Sequence, residues 1–292
     1  MNLLAQYKQR LNLHDATFIP IIHEDALVAI VYKIIKSDSE QLALKICDRS
    51  EDFFREIYYL KFFENLIPVP KVIDSVEPQK GIHGAVLMEF LPGKLMQKID
   101  VNKDLAHEMG AILAKIHLNR TDGYGNITVS DQSFDPSIHF TAKFEEGLEE
   151  CSNNLPKALI QQCKEYFKQN IDLLKLADGP CIIHRDFRPG NIIVNDGKIR
   201  GIIDWSSSRS GFAQDDFCFL YNKRNKLSSE NQPAFFAGYE TIRALPDLSI
   251  MPFLLLSRAI ATIGFTVKRD TWLTTSADLY SLNRAYLEDF FN

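Results

Sequence analysis

Four side chains within the stretch from Cys181 to Asp204 have the types and spacing needed for group transfer. It reads CIIHRDFRPGNIIVNDGKIRGIID and places His184, Asp186, Asn191 and Asp204 along one short run. Moving a γ-phosphoryl asks little covalent work of a protein and mostly needs positioning, metal ions and charge stabilisation. Asp186 can accept the proton of an attacking hydroxyl and orient it. Oxygens of Asn191 and Asp204 suit Mg2+, a hard cation. Arg188, just beyond Asp186, can reach the transferred phosphate and offset its negative charge.

These groups work together only if the chain brings them to one place. Cys181-Ile182-Ile183 is short and apolar and reads as a buried strand, and Pro189-Gly190 marks a loop after it that carries Asp186 and Asn191. Ile192–Val194 and Ile199–Ile203 are apolar segments separated by Asn195-Asp196-Gly197-Lys198, residues that tolerate the positive φ of a tight hairpin. Folding there predicts pairs 194 with 199 and 192 with 201. Asn191 and Asp204 then emerge at the open end, beside the loop of Asp186.

A site of this kind also needs a cation upstream. Gln41–Cys47 reads as a strand whose alternation puts Ala43, Lys45 and Cys47 on one face, opposite Leu42, Leu44 and Ile46. The small Ala43 leaves room for a flat purine. EDFFREIYYLKFFEN, from Glu51 to Asn65, has helical spacing and carries Glu56, the expected partner of Lys45. Val86-Leu87-Met88-Glu89-Phe90-Leu91-Pro92-Gly93 is an apolar strand that stops at Pro-Gly.

HRDFRPGN followed by IIDW resembles the aminoglycoside phosphotransferase and choline kinase family, small-molecule relatives of the protein kinases. The interval 204 − 186 = 18 fits the shared pattern. The resemblance implies an α+β, bilobal protein-kinase-like fold, with a small antiparallel-sheet lobe over 1–91 and a larger, mainly helical lobe over 92–292. It implies ATP as phosphoryl donor, Asp186 as catalytic base, and Asn191 and Asp204 as Mg2+ ligands. REIYYLKFF is similar to the family's second helix, which supports the pairing of Glu56 with Lys45. The 86–93 strand is similar to its hinge, where backbone groups around Met88, Glu89 and Leu91 would hold adenine. Residues 18–30, FIPIIHEDALVAI, depart from the pattern: they contain no glycine where a nucleotide-covering hairpin belongs. Glycines let backbone amides approach phosphates, whereas Glu24 and Asp25 would repel them. This departure leaves GTP open as an alternative donor.

The elements downstream bear on the acceptor. WSSSRSGFAQD follows Asp204 directly, leads to Asp216 and lacks an A-P-E ending. This compact run resembles the small-molecule branch, in which the later Asp braces the catalytic loop, and sets aside a peptide platform. Ser206-Ser207 stands where choline kinases commonly carry Glu-Tyr, which tilts away from choline. Glu145, Glu146, Glu149 and Glu150 form an acidic helix face that either attracts a polyamine or is simply solvated. Phe212, Tyr221, Tyr239 and Trp272 either cage a quaternary ammonium or fill the core. His117 closes a helix over 104–117 and reads as a packed core histidine. Further helical patterns cover 155–176, 233–244 and 276–291.

Composition bounds the rest. The 292 residues, 46% hydrophobic and 24% charged, suit a globular enzyme with a substantial core. A net charge of −5 without a Lys/Arg run argues against nucleic acid as a partner. Cysteines 47, 151, 163, 181 and 218 lack C-x-x-C spacing and read as reduced thiols of a cytoplasmic protein. The first 15 residues read as a short amphipathic helix and not a signal peptide. Residues 250–267 are interrupted by Pro252, Ser257, Arg258 and Gly264, so they read as a buried helix with no membrane partner. The expected partner is a small hydroxylated substrate, of aminoglycoside or amino-alcohol type. The alternatives are a catalytically weak nucleotide-binding or interaction protein, or a kinase of another metabolite or of a protein, and oligomeric state stays open.

Overall fold

The computed structural model describes residues 3–22, 29–129, 131–222 and 226–292. In chain order its first elements are α1 (Leu3–Arg10), β1 (Thr17–Ile21), β2 (Ala29–Ile35), β3 (Gln41–Cys47), α2 (Ser50–Phe63), β4 (Val72–Val76) and β5 (Ala85–Glu89). Next come β6 (Lys94–Leu95), α3 (Lys103–His117), β7 (Tyr124–Asn126), β8 (Asp131–Ser133), α4 (Pro136–Cys151) and α5 (Lys157–Asn170). The remainder are β9 (Cys181–Ile183), β10 (Ile192–Asn195), β11 (Lys198–Ile202), β12 (Arg209–Gly211), α6 (Ala213–Asp216), α7 (Gln232–Glu240), α8 (Met251–Lys268) and α9 (Ala277–Phe290).

The chain divides into two compact units. The first comprises 1–116, 184–209 and 227–243; the second comprises 117–183, 210–226 and 244–292. The catalytic-type run from His184 to Asp204 therefore belongs with the N-terminal sheet.

In the first unit, five strands form an antiparallel sheet in the order β1-β2-β3-β5-β4. β3 is central because it is buried on both faces. Leu42, Leu44 and Ile46 join Tyr7, Leu11, Ile34, Val76 and Leu87 in one core, so the N-terminal helix covers that face. The opposite face, with Lys45 and Cys47, is buried as well. The β1–β2 ladder runs from Thr17↔Ile35 to Ile21↔Val31. The glycine-free turn with His23, Glu24 and Asp25 lies outside the described residues.

The β10–β11 hairpin forms where the sequence places it, and Asp196 and Gly197 both take the positive φ expected of its turn. Val194 pairs with Ile199 as predicted, but Ile192 pairs with Ile202 and not with 201, because the register shifts between Ile193 and Val194. A Cβ on Gly201 would lie 2.1 Å from Leu91 Cδ1, so glycine there admits the Leu91 side chain against the strand. β6 completes this sheet on the other edge of β10. Beside it, α3 and α7 cross in backbone contact. A Cβ on Gly110 would stand 1.9 Å from the Phe235 carbonyl, and one on Gly238 1.9 Å from the His107 carbonyl.

In the second unit, α8 packs against α4 and α9. The stretch Leu248–Lys268 is long and apolar enough to cross a membrane, and 61% of its apolar window is buried within the molecule. Here α5 ends at Asn170 and passes into a 3-10 stretch, Ile171–Leu176, where the sequence pattern predicts one longer helix. His117 is fully buried and its Nε2 meets the Asp216 carboxylate at 3.1 Å. Of the aromatics weighed as a cage, Phe212 (second unit) and Tyr239 (first unit) are core, whereas Tyr221 is exposed.

Candidate active site

Every residue predicted for the site lies in the first unit. β3 carries Lys45 and α2 carries Glu56, and burial of Phe53, Tyr59, Leu60 and Phe63 turns Glu56 inward. The Lys45 ammonium lies 2.7 Å from Glu56 Oε2 and 2.7 Å from Asp204 Oδ1. Lys45 and Glu56 side chains are only 9% and 2% exposed, while Asp204 is 42% exposed. Burial opposes the lysine charge, but Asp204 and Glu56 outweigh it and hold the ammonium well above its ordinary value. Burial also works against the Asp204 carboxylate, yet Lys45 and a hydrogen bond from Ser206 drive it below the usual carboxylate range. Glu56 moves the other way: burial pushes it up, and Lys45 and a backbone hydrogen bond from Trp205 recover only part. Ala43, on the face of Lys45, pairs across the sheet with Met88.

The second half of the site is the loop after His184. That residue is fully buried, its Nε2 lies 3.1 Å from the Ile203 carbonyl, and its Nδ1 accepts the Asp186 N–H at 3.3 Å. Both contacts are met by one neutral tautomer, which ties the loop to the exit of the hairpin. Arg185 and Asp204 both take φ of 66°, a left-handed conformation that costs energy for a side-chain-bearing residue. Asn191 donates to the Asp186 carbonyl at 2.9 Å and to its Oδ2 at 2.7 Å. Ile203 N–H donates to the Asn191 carbonyl at 3.0 Å, so Asn191 and the segment ending in Asp204 do meet at the open end of the hairpin.

Arg188 Nε points at Asp186, 3.1 Å from Oδ1 and 3.3 Å from Oδ2. The guanidinium thus sits on the expected base. In the hinge segment, Met88 is buried, Glu89 is exposed, and Glu89 N–H donates to the Lys71 carbonyl at 2.9 Å. Leu91 N–H donates to no backbone acceptor among the described residues.

A divalent cation fits the donor set. The Asn191 amide nitrogen is committed to Asp186, which leaves its amide oxygen, and Asp204 Oδ1 accepts from Lys45 and Ser206, which leaves Oδ2. Both are hard oxygens. Two protein ligands suit Mg2+, which commonly fills its octahedron with water and phosphate oxygens. No cluster of three or more His, Cys, Asp or Glu side chains competes for a metal among the described residues.

Sequence reasoning passed over what holds Asp204. Trp205 is fully buried, its ring stacked on Phe63 at 4.8 Å and on Tyr59 at 6.0 Å, with His184 at 4.5 Å. Its indole N–H donates to the Ile202 carbonyl at 3.1 Å. A tryptophan directly after an acidic residue at a strand exit was the available signal. α2, the hairpin exit and the catalytic-type loop are therefore packed on one side chain.

The comparisons with known proteins agree with this geometry. The phosphotransferase enzyme family profile matches residues 22–253, and the chain belongs to that family. In sequence it is similar to the homoserine kinase of Gluconobacter oxydans, at 26% identity over 66% of this chain and 61% of that protein. The homoserine kinase of Agrobacterium fabrum is 24% identical over 76% of this chain and 68% of its own length. The chain thus spans about two thirds of the length of these relatives. In fold it is similar to aminoglycoside phosphotransferase APH(4)-Ia, solved as a ternary complex with AMP-PNP and hygromycin B. There the TM-score is 0.76 at 12% identity, covering 99% of this chain and 98% of that one. The streptomycin-ATP-APH(2")-IIa ternary complex gives 0.69 at 19% identity over 96% and 97% of the two chains. The α+β kinase-like fold expected from the sequence is the fold observed.

Proposed function

We propose that the protein transfers the γ-phosphoryl of ATP to a hydroxyl of a small molecule. The observation that carries this reading is the Lys45 ammonium held at 2.7 Å by both Glu56 and Asp204, with Asp186 and Asn191 joined at 2.7 Å in the same unit. A lysine between two carboxylates gains a third anionic partner when a triphosphate arrives. In this reading Lys45 orients the phosphates, Asn191 Oδ1 and Asp204 Oδ2 hold Mg2+, and Ala43, Met88, Glu89 and the Leu91 N–H receive the adenine. Bound Mg2+ would neutralise charge on the phosphates. The acceptor oxygen attacks the γ-phosphorus in line, the bond to the β-phosphate oxygen breaks, ADP leaves, and Asp186 takes the hydroxyl proton. Arg188 holds the Asp186 carboxylate in place and is near enough to turn toward the transferred group.

For the acceptor, the reading favours a homoserine-like amino alcohol over a polycationic aminoglycoside. The support is twofold. The sequence relatives above are named homoserine kinases, whereas the likeness to aminoglycoside kinases is one of fold. The acidic face of α4 is also largely neutralised. Lys268 meets Glu150 at 2.6 Å and Glu146 at 3.5 Å, and Lys143 also bonds Glu146. Glu145 and Glu149 share a groove of about 750 Å³ with Lys164 and Lys168. The five buried cysteines, none in a disulfide, suit a reducing cytoplasm, which this reading adopts.

The test is ADP release with Mg-ATP against homoserine, ethanolamine, choline, aminoglycosides and simple sugars, with Asp186→Asn run alongside. Turnover with homoserine that disappears in the variant is the expected result. Full activity of Asp186→Asn removes the assigned base. Turnover with an aminoglycoside alone reverses the acceptor preference.

A further inference from the structure

We infer that Arg55 is a positioning residue: through the Ser206 carbonyl it fixes the turn that aims Asp204, and so sets how tightly the site takes Mg2+. The inference rests on the phosphotransfer reading above for its metal and on the geometry alone for its coupling. Asp204 stands at the head of a 3-10 turn, Trp205–Ser207, in a left-handed conformation with φ of 66°. Such a backbone persists only where its surroundings over-determine it. Three contacts do so. Ser206 Oγ donates to Asp204 Oδ1 at 2.9 Å, the Trp205 backbone N–H bonds Glu56, and Arg55 Nη1 donates to the Ser206 carbonyl at 3.3 Å.

Arg55 is built for this. Its side chain is 11% exposed, its Nη2 bonds Glu51 at 2.8 Å, and Nη1 also lies 3.7 Å from the buried Asp52. The carboxylates hold the guanidinium on α2, so it can grip a carbonyl 151 residues away in sequence without being pulled out of place. Glu56 and Arg55 are neighbours on one helix, one fastened to the Trp205 N–H and the other to the Ser206 carbonyl. Shifting α2 would therefore move Lys45's partner and Asp204's turn together.

Releasing the Ser206 carbonyl frees the turn while leaving every assigned ligand in place. Loss of a residue that orients a metal-binding carboxylate costs about 10-fold or more in metal affinity or activity. The experiment uses the full chain in a Trp272→Phe background, in which Trp205 is the sole tryptophan. Arg55→Ala is read in two ways: acrylamide quenching of Trp205, and the Mg2+ concentration giving half-maximal ADP release. The expected results are a rise in quenching of about twofold and a rise in half-saturating Mg2+ of about tenfold, at little change in the KM for the acceptor. Methylguanidinium at millimolar concentration should recover part of the Mg2+ response. Lys61→Ala is the control, because Lys61 is an exposed cation in the last turn of the same helix. Unchanged quenching in Arg55→Ala, or the same changes in Lys61→Ala, overturns the inference. If the wild type turns over no acceptor, the phosphotransfer reading fails and the quenching arm still decides whether Arg55 holds the turn.

Discussion

Lys45 and Lys268 each stand between two carboxylates, and their surroundings give them opposite meanings. Lys45 lies 2.7 Å from Glu56 and 2.7 Å from Asp204, and Lys268 lies 2.6 Å from Glu150 and 3.5 Å from Glu146. Lys45 and Glu56 have lost their water, whereas the Lys268 and Glu146 side chains remain 61% and 43% exposed. Desolvation makes the first cluster costly to assemble and costlier to break, while solvent screening makes the second nearly indifferent. A buried cluster of this sort is retained for what it does. The surface cluster pairs two of the four acidic side chains of α4, Glu146 and Glu150.

The largest effect expected from this contrast follows removal of one buried partner. Lys45→Met leaves Glu56 as a carboxylate in an apolar setting and should cost about 3 kcal/mol or more at neutral pH. Adding Glu56→Gln removes the orphaned charge, so the double variant should regain most of that loss. Urea denaturation of the two single variants and the double variant gives the coupling directly. A coupling energy near zero in that cycle would mean that the pair contributes nothing to the fold and would erase the distinction from Lys268.

The pH response sharpens the same point. Lys45 is held above its ordinary value in the folded protein, so its contribution is complete below about pH 10.4 and is lost as pH rises through the raised folded value. Asp204 is depressed, so its contribution is complete above about pH 4 and is lost as pH falls through its folded value. Glu56 is raised and partly offsets the acid limb, since the fold favours its protonated form. Cys47, pushed up to about 12 by burial, also weakens the fold at alkaline pH. The stability gap between wild type and Lys45→Met should therefore hold steady from about pH 6 to 9 and narrow above about pH 10.4. A gap that stays constant to pH 11 would contradict the assignment of the shift to Lys45.

Asp186, Asn191 and Asp204 were legible as a group because they fall in one short run, and the structure brings Asn191 against both Asp186 and the segment that ends in Asp204. Lys45 and Glu56 were legible through period: alternation gave the strand, helical spacing gave the helix, and both formed. What stayed hidden depends on distant packing. The register shift beside Ile193 lies next to Gly201, on which Leu91 packs, and no local pattern encodes that contact. Arg55 and Ser206 stand 151 residues apart, and a serine after Asp-Trp looks like any loop residue until its carbonyl is seen to be held. Pairing 192 with 201 failed for the first reason; the overlooked role of Trp205 had the second.

Lys268→Ala is the smallest change and the closest check on the contrast. Lys268 and Glu146 are solvated and only Glu150, at 17% exposure, loses a partner in a sheltered place, so the loss should stay within about 1 kcal/mol and shrink further in 0.5 M salt, where exposed charges are screened over a few ångström. Urea midpoints at low and high salt would measure it. The same substitution also uncovers Glu146 and Glu150, making α4 more acidic. If the acceptor were a polycation bound there, Lys268→Ala would lower its KM; an unchanged KM for every acceptor keeps the recognition of substrate away from this face. A loss of 3 kcal/mol would place the surface cluster in the class of Lys45 and remove burial as the property that separates them.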